Sequence, residues 1–170
     1  TRLSKFAALD LGRVVAVHGR HCVVESPEGE RTICHPRGKK SECVVGDFVR
    51  WQPAGDEGVI EHIEPRRNLL HRQDEWKTKS FAANIDAVLV IVAADPPFSE
   101  SQLARALIAA ESAGITAHVL LNKCDLPQAA AARDRLAPYR AMGVPVHEVA
   151  MKAVPDAARA VLTPLLTGRT

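Results

Sequence analysis

The chain has 170 residues, 46% hydrophobic and 25% charged, a composition that suits one or two globular domains and excludes a collagen-like or low-complexity polypeptide. A net charge of +2 neither marks nor excludes a nucleic-acid partner. The longest apolar run, Ala87 to Ala94, is far below the roughly 20 residues a membrane-spanning helix needs, and no signal peptide is expected. Four cysteines spread singly point to a reducing cytoplasm rather than a disulfide framework.

The first third of the chain reads as short strands. Gly12 to Val17, His21 to Glu25, Arg31 to Cys34, Asp47 to Trp51 and Val59 to Ile63 are rich in Val and Ile. Turn signals such as Ser26-Pro27-Glu28-Gly29 and Pro53-Ala54-Gly55-Asp56 separate them. Five short strands within residues 1–65 predict a small β barrel: an OB-fold, with an SH3-like barrel as the alternative. Cys22, Cys34 and Cys43, with His18, His21 and His35, have the chemistry of zinc ligands but lack a Cys-x-x-Cys knuckle. Cys22 and Cys34 fall inside strand-like runs and are expected as small core residues, so no metal site is assigned. Phe48 and Trp51 are likewise expected in the core.

Residues 66–84 are polar, basic and without period, and predict a linker. From residue 85 the pattern alternates strand and helix. Ile85 to Val92 is a continuous apolar strand, as in a parallel sheet covered on both faces. Ser99 can cap a helix, with Gln102 completing a capping box. Leu103, Leu107 and Ala110 keep helical spacing, and Gly114 closes the helix. A strand over Thr116 to Leu121, a helix around Gln128 to Arg140 and a strand over Val144 to Val149 follow. A last helix starts at Pro155 and is kinked or stopped early by Pro164. This order predicts a parallel α/β sheet with right-handed crossovers over residues 85–170.

Asn122-Lys123-Cys124-Asp125, directly after an apolar strand and before Leu126-Pro127, carries the chemistry of guanine recognition. Guanine presents N1–H and a 2-amino group side by side, and the carboxylate of Asp125 can accept both in a charge-assisted bidentate contact. Adenine lacks that pair of donors and would leave the carboxylate unsatisfied. Asn122 can bond the purine N7 and tie neighbouring loops together. The stem of Lys123 can lie over the base. Yet no G-x-x-x-x-G-K-[ST] phosphate loop and no following D-x-x-G occurs in the chain. Either the four-residue match is accidental, or the guanine-reading half comes first and the phosphate-reading half follows. No G-x-G-x-x-G follows a strand, so a dinucleotide site has no support.

The second ordering fits a known family. Gly12-Arg13-Val14-Val15, Pro36-Arg37-Gly38-Lys39-Lys40, Val45-Gly46-Asp47-Phe48-Val49, Glu64-Pro65-Arg66-Arg67-Asn68-Leu69-Leu70-His71-Arg72 and Ala82-Ala83-Asn84-Ile85-Asp86 precede the guanine motif in that order. With it, they make the chain resemble the amino-terminal part of the circularly permuted, ribosome small-subunit-dependent GTPase family RsgA (YjeQ/EngC). The resemblance implies an OB-fold followed by the first part of a G domain. It also implies GTP or GDP with Mg2+ in the complete protein, and zinc in a carboxy-terminal domain outside this sequence. The chain is then expected to be a fragment, inactive alone, with no catalytic residue of its own. The family's second guanine loop, usually Ser-Ala, corresponds here to Val149-Ala150-Met151-Lys152, where a backbone N–H of Ala150 or Met151 would reach the guanine carbonyl.

The resemblance places the barrel on the small ribosomal subunit and its rRNA. Two local clusters fit that partner. Residues 31–50 hold five cations against two anions, and residues 66–79 hold five against two, enough to neutralise phosphates through counterion release. Arg37, Lys39, Lys40, Arg66, Arg67 and Arg72 are the candidate RNA contacts. Aromatics are scarce, so recognition of RNA backbone and shape is expected rather than base stacking. A monomer is expected. The alternative reading is a non-enzymatic OB module joined to an α/β domain that binds no nucleotide.

Overall fold

The computed structural model describes residues 6–38, 42–73 and 78–170, the side chains of Arg72, Gln73 and Thr78 excepted. The chain divides into two compact units, with the boundary between Ile85 and Asp86.

In the first unit β1 (Asp10–His18), β2 (His21–Glu25), β3 (Arg31–Pro36), β4 (Phe48–Ala54) and β5 (Glu57–Ile63) close a barrel in the order β1-β2-β3-β5-β4, with β4 returning to β1. Only β3 and β5 pair in parallel. This is the OB arrangement. Period-two alternation turns Val14, Cys22, Val24, Cys34, Val49, Trp51 and Ile60 into the barrel core. Two glycines make room for the Trp51 indole: a Cβ on Gly12 would lie 2.8 Å from its Nε1, and one on Gly58 2.6 Å from its Cε3. Cys22 and Cys34 face each other across β2 and β3 and are fully buried. Burial, with Cys22 and Glu57 adding to it, pushes the Cys34 thiol up to about 11, which suits an inert core thiol.

The expected linker is instead part of the first unit. It contains an antiparallel hairpin, β6 (Leu69–Gln73) with β7 (Thr78–Ala83), and polar side chains fasten it to the barrel. Asp47, fully buried, accepts from Arg66 Nε at 2.7 Å and from its Nη2 at 2.8 Å. The Ala83 amide donates to Val45 O at 2.9 Å. Asn84, buried and held at φ 56°, donates to Gly46 O at 2.9 Å and accepts from the Arg67 amide at 2.8 Å. Gly46 is required there. It sits at φ +93°, and a Cβ would stand 2.1 Å from Ala83 O.

In the second unit β8 (Ala87–Ala93), β9 (Thr116–Asn122) and β10 (Val146–Glu148) form a parallel sheet in the order β10-β9-β8. The helices α1 (Glu100–Ser112), α2 (Ala129–Ala141) and α3 (Pro155–Leu166) connect and follow them. Side chains of α1 and α2 pack on Val92, Val119 and Leu121. Ala158, Val161 and Leu162 of α3 pack with Leu120 and Leu89 on the other face, so β9 is buried on both sides and reads as a continuous apolar run. Ser99 caps α1 as expected, accepting from the Gln102 amide at 3.4 Å. Pro155 opens α3, but Pro164 does not stop it early: the helix runs on to Leu166. Among the described residues, no helix is long and apolar enough to cross a membrane.

Candidate guanine site and basic surfaces

The carboxyl ends of β8, β9 and β10 bring together three loops, the edge of an open parallel sheet where ligands of α/β proteins bind. The Asn122–Asp125 loop stands in the middle. Asn122 ends β9, and its side-chain oxygen accepts from its neighbour's amide, Lys123 N–H, at 2.8 Å and from Met151 N–H at 3.1 Å. The Cys124 amide adds a bond to Val149 O at 3.1 Å. Asn122 therefore ties the loop after β9 to the loop after β10, as the sequence suggested. The amide bond also helps hold Lys123 at φ 62°, a left-handed conformation that a non-glycine residue adopts only when surrounding contacts fix it.

Asp125 is exposed, and its carboxylate takes no partner among the described residues. Both oxygens are thus open to a ligand. Ala150 is 7% exposed and follows Val149, whose amide joins Leu121 O at 2.9 Å. Of the two backbone donors expected here, the Met151 N–H is already given to Asn122, which leaves the Ala150 N–H. The Cys124 thiol donates to Leu121 O at 3.2 Å. Burial, then the Glu148 carboxylate, push it above the ordinary thiol range, so it is a structural thiol rather than a nucleophile. Lys123 holds a contact that the sequence did not suggest. Its ammonium donates to Asp95 O at 2.5 Å, in the loop after β8. A backbone acceptor leaves no trace in a side-chain pattern.

The six candidate RNA contacts part company. Lys39 and Lys40 lie outside the described residues, and Arg72 sits in β6 with its side chain outside them. Arg37 is exposed, but its guanidinium forks onto Glu61. That partner raises its pKa. Arg66 is committed to Asp47 and to Glu42 O, and Arg67 donates from Nη2 to Asn84 O at 3.0 Å. Arg66 and Arg67 thus fasten the hairpin, a structural role that their reading as phosphate contacts did not include. A run of cations reads the same whether it faces solvent or buried acceptors. Phe48 is also corrected. It is 40% exposed rather than core, because it begins β4 on the outward face, with the Arg13 guanidinium 5.7 Å from its ring centre. Trp51 is in the core, as expected.

Comparison with known proteins identifies the family. The RsgA GTPase family model matches residues 63–170. Two curated relatives, each named small ribosomal subunit biogenesis GTPase RsgA, are similar over most of the chain. The one from Variovorax paradoxus (strain S110) is 59% identical over 94% of this chain and 50% of its own length. The one from Ralstonia nicotianae is 53% identical over 94% and 51%. The chain thus spans about half the length of the curated relatives it matches. Among solved structures, YjeQ from Thermotoga maritima superposes with a TM-score of 0.68 at 27% identity, covering 94% of this chain and 58% of that one. The chain belongs to the RsgA GTPase family.

Proposed function

We propose that this chain carries the barrel and the guanine-reading part of a GTPase that acts in biogenesis of the small ribosomal subunit, with its G-domain motifs in permuted order. The observation that carries the reading is the pair of loops tied by Asn122, with the open carboxylate of Asp125 beside them. In this reading Asp125 accepts from guanine N1–H and the 2-amino group, the Ala150 amide reaches the guanine carbonyl, and the Lys123 stem covers the base face. The barrel docks on rRNA of the small subunit through Arg37, Lys39 and Lys40, and the protein works as a cytoplasmic monomer.

Hydrolysis needs more than these residues. The chain has no phosphate loop, and electrostatic stabilisation of the transferring phosphoryl group carries most of that catalysis. The magnesium of a P-loop GTPase is held in part by a Ser or Thr of that same missing phosphate loop and by the nucleotide's own phosphates. Among the described residues no group of three or more His, Cys, Asp or Glu is placed to hold a metal ion. No step of the reaction is therefore assigned to this chain. Zinc belongs, in the same reading, to sequence outside it.

The test compares the 170-residue chain with the full-length gene product. The full-length protein is expected to bind GTP over ATP, hydrolyse it, and do so faster with small subunits present. The 170-residue chain is expected to show no turnover. Clear GTP hydrolysis by the purified chain, or no guanine preference in the full-length protein, would overturn the reading.

A further inference from the structure

The loop between β8 and α1, Ala94-Asp95-Pro96-Pro97-Phe98-Ser99, is the third loop at the carboxyl edge of the sheet, and no guanine motif includes it. It is fastened at both ends. At the β8 end, Ala94 N–H donates to Asn122 O at 3.0 Å, and Asp95 O accepts the Lys123 ammonium at 2.5 Å. At the α1 end, Arg135 of α2 holds it by three contacts. Its Nη2 donates to Phe98 O at 2.6 Å, its Nε to Glu100 Oε1 at 2.9 Å, and its guanidinium carbon lies 4.2 Å from the Phe98 ring centre. The Phe98 ring also packs against the apolar cluster that includes Leu103 and Leu136.

The backbone from Asp95 to Phe98 joins the two anchors, with Arg135 of α2 on Phe98 at one end and Lys123 of the guanine motif on Asp95 O at the other. The last link matters for binding. A lysine stem has four rotatable bonds, and ordering one on a ligand costs rotamer freedom. Here the far end of the stem is already held on Asp95 O, so the stem spans from the β9 loop to the β8 loop before any base arrives. Such pre-ordering raises affinity by removing a cost of binding rather than by adding a contact.

We propose that the Asp95–Phe98 loop is a wall of the guanine-nucleotide site and that Arg135 is a positioning residue for base binding, acting through Lys123. The inference rests on the guanine reading above. Because Lys123 covers the base face and Asp125 reads its edge, loss of Arg135 weakens all purine diphosphates that fit the site without changing the discrimination between them.

The experiment titrates the full-length gene product with GDP and with IDP, whose base lacks the 2-amino group. Arg135→Ala is expected to weaken both by the same factor, roughly fivefold to tenfold. Phe98→Leu, which keeps apolar bulk but removes the ring from the guanidinium, is expected to weaken both by about twofold to threefold, and serves if Arg135→Ala fails to fold. The deciding measurement is a double-mutant cycle with Lys123→Ala. In that background Arg135→Ala is expected to change GDP affinity less than about twofold, because the coupling runs through the missing side chain. Wild-type affinity in both Arg135→Ala and Phe98→Leu, or a loss that is as large without Lys123 as with it, would overturn the positioning role. A wild-type protein that binds neither GDP nor IDP would overturn the guanine reading itself.

Discussion

Asp47 is fully buried and doubly paired to Arg66, while Asp125 is exposed and open. The same side chain therefore has two different jobs, and the two respond oppositely to substitution. Removing one partner of a buried ion pair strands the other and costs about 3–5 kcal/mol. Asp47→Ala is expected to lower unfolding stability by about that amount, read as a shift of the urea midpoint, and to loosen the hairpin that Arg66 fastens. An unchanged midpoint would mean that Arg66 finds another acceptor. Asp125→Asn should leave stability alone, because no contact is lost. Its effect is on specificity. An amide can donate to the carbonyl that xanthine carries where guanine has its amine, so the full-length variant should lose GTP affinity by on the order of 2–4 kcal/mol and gain preference for XTP. Retained preference for GTP over both XTP and ATP would remove Asp125 from the base-reading role. Both aspartates were visible in the sequence, but only Asp125 came with a motif whose chemistry names a ligand. Asp47 stood at the start of a predicted strand, and its burial was not legible because it depends on Arg66, which lies 19 positions away.

The secondary-structure elements were legible wherever burial imposes a period. The β9 run and the Ser99 cap follow from apolar spacing and local hydrogen bonding alone. The β6–β7 hairpin was not legible, because what holds it is Asn84, Arg66 and Arg67 reaching distant carbonyls and a buried carboxylate, and such bonds have no period. The strand pair β9–β10 contains another feature outside the pattern. His118 and His147 meet with Nδ1 and Nε2 3.1 Å apart, and His118 Nε2 is buried without a partner. Burial first, then His147 and Arg169, lower the His118 pKa. The unfolded chain then takes up this proton at a higher pH than the folded one. The neutral imidazole is accommodated above the ordinary value of 6.5, and stability is lost as pH falls below it toward the folded value. Unfolding of the 170-residue chain from pH 7.5 to 5 is expected to show that loss, and His118→Gln to reduce it. An equal pH slope in the variant would place the titration elsewhere.

At the scale of the whole molecule the proposed function divides recognition between the two units, RNA for the barrel and guanine for the sheet, and a test of that proposal must change one and leave the other alone. The basic loop after β3 is the place to make it. Pro36 ends β3, Gly38 sits at φ +111°, and Arg37 is exposed, so the chain leaves β3 at the surface just before Lys39 and Lys40 in the sequence. Arg37 already shares its charge with Glu61. It can exchange that carboxylate for a phosphate, at the cost of leaving Glu61 to Gln52, which donates to it at 2.8 Å. Each phosphate contact contributes close to one unit to the slope of log K against log salt. Reversing Arg37, Lys39 and Lys40 to Glu in the full-length protein is therefore expected to weaken binding to small subunits and to flatten that slope by about two to three, the lower value applying if Arg37 stays with Glu61. Nucleotide affinity in the absence of ribosomes should stay within about twofold of wild type, since Asp125 and Asn122 belong to the other unit. Co-sedimentation with small subunits at several salt concentrations, beside a GDP titration, reads both quantities. An unchanged slope would return the loop to ordinary solvated surface and move the RNA contact to another face of the barrel.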